Sequence, residues 1–161
     1  MPSSRVGLSS CGGRLVPHVA AGVPGVRLRL PVDFAAFCQL HRERYLRYCQ
    51  VRLGDTDLAC VVLEGTLGEL AMCWGSALSS SPAAVGWRLL NERVTSAARS
   101  AGRLDPVHRL LPAPQADVVL LHRWLGLSVP ETADVTGLGV QDVLWHLLAA
   151  QKRLPAGTPA P

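Results

Sequence analysis

One stretch of this chain, residues 128–143, restricts the fold more than any other because its small and apolar residues follow the spacing of a helix-turn-helix. Ala133 stands where two helices must cross closely. Gly137, four residues later, can adopt the positive φ that a tight turn between the helices requires. Leu138 and Val143 then supply apolar contacts that hold the second helix against the first. In DNA-binding versions of the motif, the second helix lies in the major groove.

The composition is that of a chain that can bury a hydrophobic core. Of its 161 residues, 48% are hydrophobic and 17% are charged, which suits one ordinary domain or two small helical ones. No apolar run approaches the roughly 20 residues of a membrane span, and the N-terminal region lacks the apolar segment of a signal peptide. We therefore expect a cytoplasmic protein with no membrane span.

The formal net charge of +4 comes from arginine, since Lys152 is the only lysine. Arginine favours bidentate contacts with phosphate and carboxylate groups. A basic chain permits nucleic-acid binding without demonstrating it. A composition rich in Ala, Gly, Pro and Arg is also typical of proteins from GC-rich genomes.

Nothing in the sequence indicates an enzyme, a cofactor or a metal site. His108 and His122 have no serine or cysteine near them in a triad-like setting, and there is no glycine-rich phosphate loop. The five cysteines form no metal-ligand spacing such as CxxC. Cys38 and His41, three residues apart on a predicted helix, fit a buried apolar stripe better than a metal site.

The periodicity of apolar residues predicts an all-α fold with two small helical domains joined by a short linker. The N-terminal domain, residues 32–101, contains helices predicted over 33–53, with Asp33 as N-cap, over 57–74 and over 83–101. Residues 75–82 are predicted to form a Ser-rich loop, and residues 1–31 a flexible leader.

The C-terminal domain is predicted to follow a linker at residues 102–114, which contain Gly102 and three prolines. A short helix over 115–125 and the helix-turn-helix make up this domain, residues 115–154. Residues 155–161 are predicted to be a frayed tail.

The order of these parts resembles the small sigma factors of the extracytoplasmic-function type, the group IV members of the sigma-70 family. The segment from Phe37 to Asp55, ending in Arg52-Leu53-Gly54-Asp55, is similar to the opening helix of that family and its end. Residues 58–74 and 82–99 occupy the places of the next two family helices. Residues 115–154 are similar to the segment that contains the family's helix-turn-helix.

The resemblance implies that the N-terminal domain binds the beta-prime clamp of RNA polymerase core and melts the promoter minus-ten element. It implies that the C-terminal domain reads the minus-thirty-five element, and it allows an anti-sigma protein as a further partner. The implied polymerase-binding residues are Arg47, Asp57 and Glu64. The implied DNA-binding residues are Arg88, Arg93 and Arg99 near the minus-ten strand, and Gln141, Trp145, His146, Lys152 and Arg153 on and after the recognition helix.

The residues that depart from the family pattern lie where the family contacts its partners. Cys60 and Val61 stand at positions that are usually acidic in the second helix. Basic residues of the family's recognition helix are replaced here by Leu144, His146 and Ala149. Each lost phosphate contact reduces the slope of log binding constant against log salt concentration by about one. The recognition helix is apolar on more than one side through Leu144, Trp145, Leu147 and Leu148.

Two functions therefore stay open. One is a sigma-factor-like transcription regulator that binds RNA polymerase core and promoter DNA to direct transcription initiation. The other is a degenerate sigma-derived adaptor that binds a protein partner through an apolar recognition helix without reading promoter DNA. Exposed Leu144 and Trp145 side chains leave the helix available to DNA or a protein, whereas their burial between the domains excludes promoter reading. Similarly, Arg88, Arg93 and Arg99 are either ordinary solvated charges or contacts to DNA.

Overall fold

The computed structural model describes residues 30–103 and 105–154, and this part of the chain is all-helical, with no β-strand. The all-α prediction is confirmed for these residues. In the N-terminal half, the helices are α1 (Val32–Leu53), α2 (Thr56–Met72), α3 (Trp74–Leu78) and α4 (Pro82–Ser100). In the C-terminal half, they are α5 (Pro106–Leu110), α6 (Ala113–Val119), which continues into a π-helical turn (Leu120–Trp124), α7 (Val129–Thr136) and α8 (Val140–Gln151). None of these helices is both long and apolar enough to cross a lipid bilayer.

The three long helices predicted for the N-terminal half are present, with ends within two residues of the predicted ones. The predicted N-cap of α1 is wrong, because the helix starts after Pro31 and Asp33 lies inside its first turn. Asp55 and Ser81 cap α2 and α4 by accepting hydrogen bonds from backbone amides. The predicted loop at 75–82 contains most of α3. The predicted leader, apart from Leu30 and Pro31, and the predicted tail lie outside the described residues.

The segment predicted as a linker, residues 102–114, contains α5 and the start of α6. Asp105 caps α5 by accepting a hydrogen bond from the backbone amide of His108. Pro106 and Pro114 stand in the first two positions of α5 and α6, where a missing N–H leaves no helical hydrogen bond unmade. The prolines of this segment therefore mark helix starts.

The two helices and the glycine turn predicted for residues 128–143 are present. Ser128 and Glu131 form a capping box at the start of α7, and Gly137 ends the helix with a φ of 71°. Ala133 and Val143 are buried and pack with Val118 of α6 in a small cluster. The apolar positions that indicated a helix-turn-helix therefore make the contacts that the motif requires.

A continuous hydrophobic core joins the N-terminal and C-terminal halves of the described chain. One cluster of buried apolar side chains draws members from all eight helices, from Phe34 in α1 to Ala150 in α8. In its centre, the Tyr48 and Trp87 rings lie 4.7 Å apart. The helix-turn-helix is thus packed directly on the N-terminal helices, chiefly through α7, which contacts α1 and α4.

The close approach of Gly137 to α4 makes this position unusually intolerant of a side chain. A Cβ atom at position 137 would lie 2.6 Å from the Cα and 2.7 Å from the Cβ of Ala84. Gly126 has a similar φ of 72°, but a Cβ there would meet no atom within 4 Å. We expect Gly126→Ala to lower the free energy of unfolding by about 1–2 kcal/mol through backbone strain alone. Gly137→Ala should lower it by at least ~2 kcal/mol more, because overpacking adds to that strain.

Urea unfolding of the two variants measures this difference directly. Equal losses of stability would show that the turn between α7 and α8 is not seated against α4 in solution.

Candidate functional site

The outer side of α8 is open to solvent and apolar. Trp145 and Leu148 are 61% and 60% exposed, and Val140 and Leu144 are 44% and 38% exposed. Residues 140, 144 and 148 recur at intervals of four, so they form a strip along one side of the helix, with Trp145 beside them. We call these four residues the α8 apolar face. Leu144 and Trp145 are therefore not buried between the two halves of the chain, and the face is available to a partner.

The inner side of α8 is held by two fully buried residues, Val143 and Ala150. Leu147, one of the residues that make the helix apolar on more than one side, packs partly buried against both hydrophobic clusters. The inner side of α8 is thus formed by Val143, Leu147 and Ala150, while Trp145 faces solvent. This orientation is the main fact about α8 that its sequence left open.

The polar residues predicted to contact DNA on α8 differ in their surroundings. Gln141 is exposed in the first turn, and Lys152 is exposed just after the last turn. His146 is half-buried, its ring lies 5.1 Å from that of Trp145, and its Nδ1 is buried without a hydrogen-bond partner in the described part. Arg153 is exposed but donates a hydrogen bond to the side-chain carbonyl of Gln115 at 3.0 Å. Of these four polar residues, Gln141 and Lys152 are the two that are exposed and whose side chains make no hydrogen bond or ion pair with a described residue.

The charge of the helix-turn-helix segment is not that of a typical DNA-binding surface. Residues 113–154 contain three basic side chains, Arg123, Lys152 and Arg153, and four acidic ones. The formal net charge of +4 resides in residues 1–29, which contain four arginines and no acidic residue. Asp142, exposed in the first turn of α8, adds repulsion towards phosphate where a recognition helix enters a groove.

The predicted DNA-binding arginines of α4 are exposed, and two of the three are paired. Arg88 forms an ion pair with Glu92 at 2.9 Å on the same helix. Arg93 reaches across to Glu69 of α2 at 2.7 Å, and its guanidinium lies close to Gly65, where a Cβ would be 2.9 Å away. Arg99 lines a shallow polar groove on α4. Exposed pairs of this kind are worth at most about 1 kcal/mol, so they are exchangeable for other contacts.

The three predicted polymerase-binding residues lie on α1 and α2. Glu64 is exposed and paired with Arg42. Arg47 donates a hydrogen bond to the backbone carbonyl of Leu125 at 3.4 Å, which links α1 to the segment before α7. Asp57 is exposed in the first turn of α2, and its carboxylate makes no hydrogen bond or ion pair with any described residue. Of the three, Asp57 is thus the residue most available to a partner.

A buried polar cluster that the sequence did not predict joins α1 and α4 to α5 and α6. The ring of His108 lies between two carboxylates, with Nδ1 3.0 Å from Asp105 and Nε2 2.8 Å from Asp117. Arg52 of α1 pairs with Asp105 at 2.7 Å and donates to the Thr95 hydroxyl of α4 at 3.4 Å. The Tyr48 hydroxyl donates to Asp117. The side chains of Arg52, Asp105, His108 and Asp117 are at most 9% exposed. We call Tyr48, Arg52, Asp105, His108 and Asp117 the His108 cluster.

The electrostatics of the His108 cluster favour its ionised form. Burial acts to lower the pKa of His108, but hydrogen bonds to Asp105 and Asp117 outweigh burial, and the pKa is raised. Burial likewise acts to raise the pKa of Asp105. The hydrogen bonds from His108, with the nearby Arg52 charge, lower it to about 2. The cluster is enclosed by helices, so its role is to fix α5 and α6 against α1.

One local signal for this cluster was present in the sequence. Asp105 precedes Pro106, which is a helix-start pattern, and it stands three residues before His108. An Asp at the N-cap and a His three positions later are neighbours at the start of a helix. The other partners come from residues far away along the chain, and no local pattern identifies them.

His41 and Cys38, considered above as a metal pair, lie buried in α1. Burial, with a contribution from Arg44, lowers the pKa of His41 to about 4, while burial raises the pKa of the Cys38 thiol. Within residues 30–103 and 105–154, no three His, Cys, Asp or Glu side chains come together as a metal-binding group.

The sequence matches no family model, and no curated protein shows significant similarity to it. The function must therefore be inferred from the residues themselves. The features that bear on it are the α8 apolar face, the paired arginines of α4 and the exposed Asp57.

The raised pKa of His108 predicts a specific dependence of stability on pH. A protonated His108 contributes stability that is fully present below its ordinary pKa of 6.5 and is lost as the pH rises through the higher folded-state value. We expect the free energy of unfolding to fall as the pH rises from 6.5 to about 8, and His108→Gln to reduce that fall. His41→Gln is the control and should leave the fall in place. With its pKa lowered to about 4, His41 is already uncharged in the folded protein over this range.

Urea unfolding across this pH range measures the effect. An unchanged slope in His108→Gln would show that His108 does not carry a proton between the two carboxylates.

Proposed function

We propose that this chain is a sigma-like transcription regulator that binds RNA polymerase core through α1 and α2 and contacts a protein, rather than promoter DNA, through α8. The observation that carries this proposal is the apolar, cation-poor outer side of α8. A recognition helix needs polar side chains for base edges and basic side chains for phosphates. Here the exposed side chains at the middle of the helix are Leu144, Trp145 and Leu148.

The sigma-like part of the proposal is supported by the placement of its elements. The segments that resemble the family's helices correspond to α1, α2, α4 and the region from α6 to α8. The helix-turn-helix follows them with its small residue and its glycine in the expected places. Asp57 at the start of α2 is exposed and available to the polymerase clamp.

The protein-binding part is supported by a comparison of magnitudes. Sequence-independent binding to DNA comes from neutralised phosphates, and its dissociation constant is typically about 10⁻⁴ to 10⁻⁶ M at physiological salt. Residues 113–154 contain more acidic than basic side chains, so their affinity for DNA lies at or beyond the weak end of that range. Each large apolar side chain that a partner covers contributes about 1.5–3 kcal/mol, so burying Trp145 and Leu148 favours a protein contact.

A promoter-reading initiation factor is the second candidate, and the exposure of α8 favours it. Gln141 is exposed in the first turn, where it can form paired hydrogen bonds with an adenine edge. Apolar side chains can contact thymine methyl groups, and Lys152 can contact a phosphate. This function requires the rest of the promoter contact to come from outside the helix-turn-helix.

The polymerase contact predicts a charge-reversal effect at Asp57. We expect the full chain to co-purify with core RNA polymerase, and Asp57→Arg to reduce the amount retained by at least about tenfold, which corresponds to 1.4 kcal/mol. Glu92→Arg is the matched control, because Glu92 is an exposed carboxylate on α4. Equal retention of both variants, or no association of the unaltered chain with core, would contradict the proposal.

The charge of the helix-turn-helix predicts weak binding to DNA. In fluorescence anisotropy at about 0.15 M salt, we expect no saturable binding of the protein to duplex DNA below about 10 µM. A saturable complex that weakens with salt, and that Gln141→Ala or Lys152→Glu abolishes, would favour the promoter-reading function instead. Circular dichroism of these variants provides the control for folding.

A further inference from the structure

We propose that the protein bound by the α8 apolar face is a second copy of this chain, which pairs its own α8 in antiparallel orientation. This inference rests on the proposed function, because it names the partner of the same face. It follows from the distribution of apolar side chains and charges along α8, and from the orientation in which the fold presents the helix.

Two residues of the α8 apolar face, Leu144 and Leu148, lie equally far from residue 146, near the middle of the helix. Val140–Gln151 is a helix of 12 residues, or about 18 Å. A two-fold axis close to residue 146 places Leu144 of one copy opposite Leu148 of the other. Trp145 then lies over the middle of the second helix, beside its Leu148. A two-fold contact of this kind uses one surface twice, which is the commonest form of association between identical chains.

The charges at the two ends of α8 select the antiparallel arrangement. Asp142 is exposed in the first turn, Lys152 is exposed just after the last, and neither forms an ion pair with a described residue. Antiparallel pairing brings Asp142 of each copy near Lys152 of the other, whereas parallel pairing brings like charges together. A partner of uniform charge would satisfy one end of the helix and be repelled at the other. The helix is thus complementary to itself.

The fold holds this face in a position where a second copy can reach it. Val143 and Ala150 fix the inner side of α8, and the packing of α7 on α1 and α4 directs the outer side away from the other described helices. A single 12-residue helix offers less than the roughly 800 Å² per partner of a standard interface. We therefore expect a reversible dimer with a dissociation constant on the order of 10 µM.

Sedimentation velocity of the full chain from about 1 to 300 µM tests the association, because this range brackets the expected dissociation constant. We expect a shift from one copy to two as the concentration rises. Leu148→Glu places two carboxylates at the two-fold contact and should weaken the dimer by at least about 100-fold, or 2.7 kcal/mol. Met72→Glu is the matched control, because Met72 is 91% exposed on α2, and it should leave the dimer unchanged.

Charge reversal tests the antiparallel geometry. Asp142→Lys and Lys152→Glu should each weaken the dimer, and the two changes together should restore it, because the pair of opposite charges is re-formed. A chain that stays a single copy up to the highest concentration, or a double variant that is no tighter than either single variant, would overturn the inference.

The dimer and the proposed polymerase binding are tested at different residues, so one can fail while the other holds. Polymerase binding is tested at Asp57 on α2, and dimerisation at Leu148 on α8. A single-copy chain that still binds core polymerase would overturn the dimer alone. Loss of polymerase binding in Leu148→Glu with no change in oligomeric state would also overturn the dimer, since the face would then be occupied by polymerase.

Discussion

The structure depends most on the close approach between the turn of the helix-turn-helix and the start of α4. No side chain separates Gly137 from Ala84, so the two backbones meet directly. Two side chains of α1 reinforce this contact from the other side. Arg44 pairs with Glu131 at 3.0 Å, and the Tyr45 hydroxyl donates to the carbonyl of Val135 at 3.5 Å. Since α7 is fixed in this way, the direction of α8 and the exposure of its outer side follow.

The His108 cluster supplies a second constraint of a different kind. Apolar packing tolerates small shifts of one helix past another, whereas hydrogen bonds among buried ionised groups require definite distances. Removing one partner from such a cluster costs more than the cluster contributes as a whole, because an unpaired buried charge is left behind. The cluster therefore specifies where α5 and α6 lie against α1 and α4, while the continuous core supplies most of the favourable free energy.

Local patterns in the sequence predicted the long helices and the helix-turn-helix, since apolar periodicity and the Gly137 turn are local properties. They missed α3 and α5, which are five-residue helices too short to show a period. They also missed the His108 cluster, because Tyr48 and Asp117 are 69 positions apart. The pairing of Arg93 with Glu69 likewise requires the packing of α2 on α4. For α8, hydropathy alone does not decide which apolar residues face the core, whereas the fold buries Val143 and Ala150 and leaves Trp145 exposed.

The separation of inward-facing and outward-facing residues on α8 has an evolutionary consequence. The stability of α8 depends on Val143 and Ala150, while its outer residues contribute little to the fold. Substitutions at exposed positions usually change the free energy of unfolding by less than about 0.5 kcal/mol. The partner of this helix can therefore be exchanged, between a nucleic acid and a protein, through a few outward-facing substitutions that leave the scaffold unaltered. Substitutions that change one kind of binding into the other therefore cost little folding stability.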